Sequence, residues 1–367
     1  MKKETAIHGV KEQVLKVSSY TLRTYEAEVK LNQNENPYDF PEDLKDEALS
    51  LFRSRRWSRY PEFVPESLRA QLADYAGWQK DGILVGNGSN ELLQASLLIL
   101  VRDRTPVVLP SPTFTVYGLV SRVLCARVFP VPLKPDLNYD VDALLARADE
   151  INAKVLILCS PNNPTGTEVG EAELRHVLEQ FHGHVLLDEA YFEFSGKTGL
   201  GLLEQYPRLI ITRTFSKAMG MAGLRLGYLM AHPELTAQIA KAKLPYNVNQ
   251  FSLTAAEVAL RHKERFRPAI EAILKERDRL GRELSLIPGI KVYPTGANFF
   301  LFDLPVPPGP VFEGLYRQGV LIRDVSAYPM LSRCLRVTVG TPAENDRFLA
   351  ALRVALGAAA SAGEGGI

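Results

Sequence analysis

A mostly parallel sheet covered by helices, joined to a smaller α+β domain, is the fold this sequence predicts, and three observations predict it. From about residue 83, short apolar runs alternate with longer amphipathic ones, the rhythm of an α/β domain. Several of the runs are apolar throughout, as strands buried on both faces are. After about residue 260 the pattern changes to a long charged helical stretch followed by shorter strand-like runs.

The elements follow in order. ILV (83–85) reads as a strand and NELLQASLLILV (90–101) as the helix after it; PVVLP (106–110) precedes the helical TFTVYGLVSRVL (113–124). The next strands are ARVFPVPL (126–133), KVLILCS (154–160), HVLLDEA (184–190), LIITRTF (209–215) and LGYLMA (226–231). A charged helix (263–284) opens the later part, followed by KVYPTGANFFLFDL, GVLIRDV, CLRVTVGT and a helical stretch from Pro342 to Leu356. The end, GAAASAGEGGI, is expected to fray. The implied division is an arm (1–35), a large α/β domain (36–262) and a small α+β domain (263–367).

Composition narrows the function. At roughly 150 residues per domain, 367 residues make about two domains, with room for a cleft. With 43 Lys+Arg against 42 Asp+Glu, no global surplus of charge favours nonspecific nucleic-acid binding. Cys125, Cys159 and Cys334 are far apart and form no CxxC pair, so a zinc site or disulfide framework is not expected and a reducing cytoplasm is. MKKETAIHGVKEQVLKV lacks the apolar core of a secretion signal, and no apolar stretch approaches the roughly 20 residues that span a bilayer.

The polar clusters repeatedly come just after an apolar run. Ligands of open α/β sheets bind outside the carboxyl ends of the strands, so these clusters are expected to converge on one pocket. Gly86-Asn87-Gly88-Ser89-Asn90-Glu91 lies between a strand and a helix, where amides, the helix dipole and a Ser89 or Asn90 cap suit a phosphate; an ordinary capped turn is the alternative. It lacks the third glycine of a dinucleotide fingerprint, and the chain contains no GxxxxGK[ST]. Ser160-Pro161-Asn162-Asn163-Pro164-Thr165-Gly166 fixes an unusual backbone path and offers the Asn163 amide at a strand mouth. Asp188, after a buried run, needs a cation or good donors unless it serves as a helix cap. Lys217, in TFSK at a strand end, is placed where a lowered pKa would allow a Schiff base.

Taken together, GNGSNE, SPNNPTG, DEAY, TFSKAMGMAGLRLGY and CLRVTVGT, in that order, resemble the fold type I pyridoxal-phosphate aminotransferases, and most closely the histidinol-phosphate aminotransferase family. The resemblance runs from KLNQNENPY (30–38) to the terminal helix. It implies that Lys217 holds pyridoxal phosphate covalently and carries the proton at the substrate's reacting carbon, and that Asp188 pairs with the ring nitrogen. Asn163 and Tyr191 would bond the ring oxygen, and Phe114 would stack on the ring. Gly88, Ser89, Asn90, Thr214, Ser216 and Arg225 would hold the phosphate. Tyr60, in RYPE, matches a tyrosine that reaches the neighbouring subunit's phosphate, which implies a homodimer with shared sites.

For the substrate, Arg336 matches the arginine that takes the α-carboxylate and Arg323 a second one found in the histidinol-phosphate group, the two together suiting the phosphate of histidinol phosphate, while Tyr20 and Asn34 match positions beside this anion site. The implied activity is amino transfer between L-glutamate/2-oxoglutarate and histidinol phosphate/imidazole acetol phosphate, a step of histidine biosynthesis. An aromatic aminotransferase and a threonine-phosphate decarboxylase are the alternatives on the same scaffold. Asn90 stands where many relatives have Asp, and Phe114 where some have Tyr.

Overall fold

The computed structural model describes residues 6–18 and 25–364. Its centre is a seven-stranded sheet formed by β2 (Ile83–Gly86), β3 (Pro106–Ser111), β4 (Arg127–Pro132), β5 (Val155–Cys159), β6 (His184–Asp188), β7 (Leu209–Thr214) and β8 (Gly227–Ala231), in the spatial order β2-β8-β7-β6-β5-β3-β4. Every residue of β5, β7 and β8 is buried; β5 and β8 are accordingly apolar along their length, while β7 ends in the buried polar residues Thr212, Arg213 and Thr214. The edge strand β4 is half exposed and carries Pro130 and Pro132, which an edge accommodates because one side of its ladder is unpaired.

Only β8 runs against its neighbours. The chain returns from β7 without crossing to the far edge, so Lys217, just after β7, and Arg225, just before β8, share the edge where the parallel strands end. A parallel β8 would have begun at the opposite edge and carried Arg225 away.

Two smaller sheets complete the fold. β9 (Lys291–Val292), β10 (Phe299–Asp303), β12 (Arg323–Asp324) and β13 (Cys334–Thr338) form an antiparallel sheet in the order β12-β13-β10-β9. The helices Arg267–Ser285, Pro308–Arg317 and Pro342–Glu364 contribute Ile273, Leu280, Val311, Leu315, Phe348 and Leu352 to its core, which includes Phe299 and Phe302. The closing helix extends past the expected Leu356, through a segment expected to fray; its Ala358, Ala359 and Ala360 are strong helix formers. The pair β1 (Val29–Lys30) and β11 (Val320–Leu321) ties the early chain to this late region in parallel.

Past β1 the chain becomes a strap. The Leu31 amide donates to the Leu321 carbonyl at 2.7 Å, and the Leu31 carbonyl accepts from the Thr338 amide at 2.9 Å. Asn34 takes a left-handed φ of 56°, which asparagine tolerates better than most residues. Its amide donates to Thr338 Oγ1 at 2.9 Å.

Candidate active site

The strand ends meet in one cavity. Its walls include Ser89 and Asn90 after β2, Phe114 after β3, Asn163 after β5, Asp188 and Tyr191 at the end of β6, and Thr214, Ser216, Lys217 and Arg225 between β7 and β8. The small sheet contributes Arg323 and Arg336, and the strap contributes Asn32, Gln33 and Asn34. Of the other residues singled out in the sequence, Gly88 borders Arg225, Tyr60 stands on the surface, and Tyr20 lies outside the described residues.

At one end, Gly88 precedes the helix Ser89–Leu100 with a φ of 77°. The expected Ser89 or Asn90 cap does not form: Gly88 is itself the N-cap, with no side-chain cap bond, because the helix begins one residue earlier than its polar residues suggested. Any larger residue would force Arg225 to move, and glycine also fits here by its backbone. Its φ is left-handed, and a Cβ would lie 2.5 Å from Arg225 Nη2. Arg225 Nη1 donates to Ser216 Oγ at 3.0 Å, and Thr214 Oγ1 donates to the same oxygen at 2.9 Å. A guanidinium, two hydroxyls and the start of a helix therefore face one spot, the donor set that suits a phosphate.

On the cavity floor, Asp188 is buried. Tyr117 donates to Oδ2 at 2.7 Å and the Ala190 amide to Oδ1 at 3.1 Å. Burial raises the carboxyl's pKa, while the Tyr117 and Ala190 bonds pull it back down. The next side chain is committed elsewhere: Glu189 forms an ion pair with Arg213 at 2.8 Å, both almost wholly buried, and Arg213 lies 3.6 Å over the Phe192 ring. Thr212 and Thr214 alternate with Arg213 along β7, so the cavity and this ion pair belong to opposite faces of the strand.

Lys217 Nζ donates to the Gln33 carbonyl at 2.8 Å. Burial, and after it the nearby Arg336 charge, push its pKa down to about 7. Near neutral pH a large share of this amine is unprotonated and nucleophilic, which an exposed lysine is not. Tyr191, 5.9 Å from the lysine by its ring, accepts a hydrogen bond from Asn34 Nδ2 at 2.9 Å.

At the other end, Arg323 and Arg336 stand directly opposite each other on β12 and β13. Arg336 is 6% exposed, donates through Nη2 to the Asn32 carbonyl at 2.7 Å and through Nη1 to Asn163 Oδ1. That bond occupies Asn163 Oδ1, and the residue lines the cavity with Nδ2 as its amide's donor group. Like charges opposed across a sheet are unfavourable unless an anion joins them.

Sequence reasoning missed Tyr117, Cys159, Val325 and Tyr328 in the cavity wall, and the two strap carbonyls. Tyr117 had a signal: it follows Phe114 by three residues in a run that reads as helical, where such residues share a face. The carbonyls had none, since every residue carries one.

The residues fit pyridoxal phosphate: a cradle bordered by glycine, a buried carboxylate, and an amine of lowered pKa between them. Fold and site together define a pyridoxal-phosphate-dependent aminotransferase. Residues 26–352 match the family described as aminotransferase class I and II. The chain is 39% identical over 329 residues to the histidinol-phosphate aminotransferase of Chlorobaculum tepidum, which covers 89% of this chain and 94% of that protein. It therefore belongs, within that class, to the histidinol-phosphate aminotransferase family. Among solved structures, the histidinol-phosphate aminotransferase of Sinorhizobium meliloti in complex with pyridoxal-5'-phosphate superposes with a TM-score of 0.82 at 25% identity, covering 91% of this chain and 92% of that one. The L-threonine-O-3-phosphate decarboxylase of Porphyromonas gingivalis gives 0.78 at 25% identity, covering 90% and 99%.

Proposed function

We propose that this protein transfers an amino group between L-glutamate/2-oxoglutarate and histidinol phosphate/imidazole acetol phosphate, in two half-reactions at one site. The observation that carries the substrate assignment is the cross-strand pair Arg323 and Arg336, both at the cavity wall. A monoanionic carboxylate needs one guanidinium; a near-dianionic phosphate engages two. Arg336 then serves both substrates and Arg323 mainly the phosphorylated one, with Asn34 beside them.

When bound, pyridoxal phosphate supplies the electron sink for the bond broken at the substrate's α-carbon. Lys217 holds it covalently and, once released, takes the proton from that carbon at Nζ and returns it. Asp188 holds a proton on the ring nitrogen. Asn163 and Tyr191 orient the ring by its oxygen, and Phe114 packs on its face. Gly88, Ser89, Asn90, Thr214, Ser216 and Arg225 retain the phosphate. In this reading residues 1–35 are an arm, 36–262 the cofactor-binding domain and 263–367 the smaller domain, with the cavity between the two.

The same reading makes the enzyme a homodimer in which Tyr60 completes the neighbouring site. Tyr60 is 79% exposed, stacks on Tyr246 at 4.5 Å, and shares its segment with the exposed Trp57 and Phe63. An aromatic surface of this kind suits burial against a second copy. The three cysteines are free and, among the described residues, no helix is long and apolar enough to cross a membrane; a reducing cytoplasm accords with both.

The experiment offers the cofactor-loaded protein histidinol phosphate, phenylalanine and threonine phosphate separately, following the cofactor's absorbance and identifying the products. The expected outcome is bleaching with formation of the keto phosphate, at the highest kcat/KM for histidinol phosphate. A preference for phenylalanine, or release of carbon dioxide from threonine phosphate, would replace this assignment.

A further inference from the structure

Asp188 is held by a residue outside the set described for cofactor and substrate. The helix Thr115–Val123 starts beside the mouth of β3 and brings Phe114 and Tyr117 to the same wall, their rings edge to face at 5.4 Å. Tyr117 is 1% exposed, and its hydroxyl donates to Asp188 Oδ2 at 2.7 Å. The other groups around the carboxylate are the Ala190 amide, Cys159, opposite it on β5, and Thr212, opposite it on β7.

We propose that Tyr117 is a positioning residue that sets on which side of the contact between Asp188 and the cofactor's ring nitrogen the shared proton rests. The inference rests on the reading that Asp188 meets that nitrogen. Two arrangements contain the same atoms. In one the nitrogen carries the proton and Asp188 is a carboxylate; in the other Asp188 is neutral and so is the ring. No proton enters or leaves the site between them. The Tyr117 hydroxyl stabilises the carboxylate far more than the protonated acid, so it favours the charged ring. Burial of Asp188 acts in the opposite direction, and the hydroxyl offsets it. The phenol remains a donor throughout, because its own burial pushes its pKa well above the ordinary value. A hydrogen bond to a charged group shifts such a balance by roughly one to two powers of ten.

The test loads wild-type protein, Tyr117→Phe and Asp188→Asn with pyridoxal phosphate labelled with 15N in the ring, and reads the ring nitrogen by NMR. Wild type is expected at the protonated position and Asp188→Asn at the unprotonated one. Tyr117→Phe is expected to move toward the Asp188→Asn position while the absorbance of the Lys217-linked cofactor shows a filled site. A second protein with 4-aminophenylalanine at 117, a weaker donor of nearly the same shape, is expected to move from the wild-type position toward the Asp188→Asn position. It decides the matter alone if Tyr117→Phe does not load. A loaded Tyr117→Phe protein that coincides with wild type overturns the proposal, as does a loaded 4-aminophenylalanine protein that coincides with wild type. A wild-type signal at the unprotonated position overturns instead the reading that Asp188 protonates the ring, and the proposal with it.

Discussion

The two cationic ends of the cavity are built on different plans. At the Gly88 end, one arginine is fixed by Ser216 and the Ala222 carbonyl, beside a helix start that exists whether or not a ligand is present. At the Arg336 end, two arginines oppose each other across a two-residue register, and the inner one already uses two of its nitrogens on Asn32 and Asn163. The first plan suits a group that stays bound through many turnovers. The second is electrostatically tense without an anion and relaxed with one, which suits a ligand that arrives and leaves each cycle.

The residue between the ends gives the largest expected effect. Lys217→Ala is expected to remove the borohydride-reducible link and nearly all turnover while leaving the phosphate end able to bind the cofactor noncovalently. In the wild-type apoprotein, the rate at which added cofactor becomes linked is expected to rise with pH through about 7, because protonated Nζ is no nucleophile and its pKa is lowered. A rise centred near 10 would mean that burial does not govern this amine.

Substitutions at the arginine pair are expected to separate the two substrates. Arg336→Ala removes a charge-assisted contact of about 1.5–3 kcal/mol and lowers kcat/KM for glutamate and histidinol phosphate alike. Arg323→Ala is expected to lower histidinol phosphate more than glutamate. The ratio between substrates cancels any general loss of folded enzyme, so equal losses in Arg323→Ala would leave the cross-strand pair without its phosphate role. The smallest effect is expected at the other end. Gly88→Ala places an alanine at φ 77° and ψ 160°, a region essentially confined to glycine, at a cost of about 1–3 kcal/mol, and displaces Arg225, so equilibrium dialysis should show weaker cofactor retention. With the site saturated, the substrate ratio is expected to stay at its wild-type value; a changed ratio would show that the two ends are not independent.

The difference between the ends also governs how much could be read from the sequence. The strands β5, β6 and β8 were legible because doubly buried strands are written as nearly continuous apolar runs, β7 by its apolar first half, and the clusters after them because a sheet delivers such residues to one edge. What could not be read lies in contacts distant along the chain. The Gln33 carbonyl meets Lys217 across 184 positions, and the Asn32 carbonyl meets Arg336 across 304. Main-chain acceptors leave no trace in side-chain identity. Tyr117 is an intermediate case, because its spacing from Phe114 is the spacing of one helix face while its neighbours in the run are mostly apolar and do not mark it out.

The strap has a consequence for how the site is made. Asn34 is synthesised early and its partner Thr338 follows 304 positions later. Everything that lines the cavity from Ser89 to Arg225 leaves the ribosome before Arg323 and Arg336 do. A growing chain therefore holds the residues proposed for the cofactor while the strap still lacks the strand it bonds to, and translation that stops short of Arg323 yields those residues without either arginine proposed for the substrate.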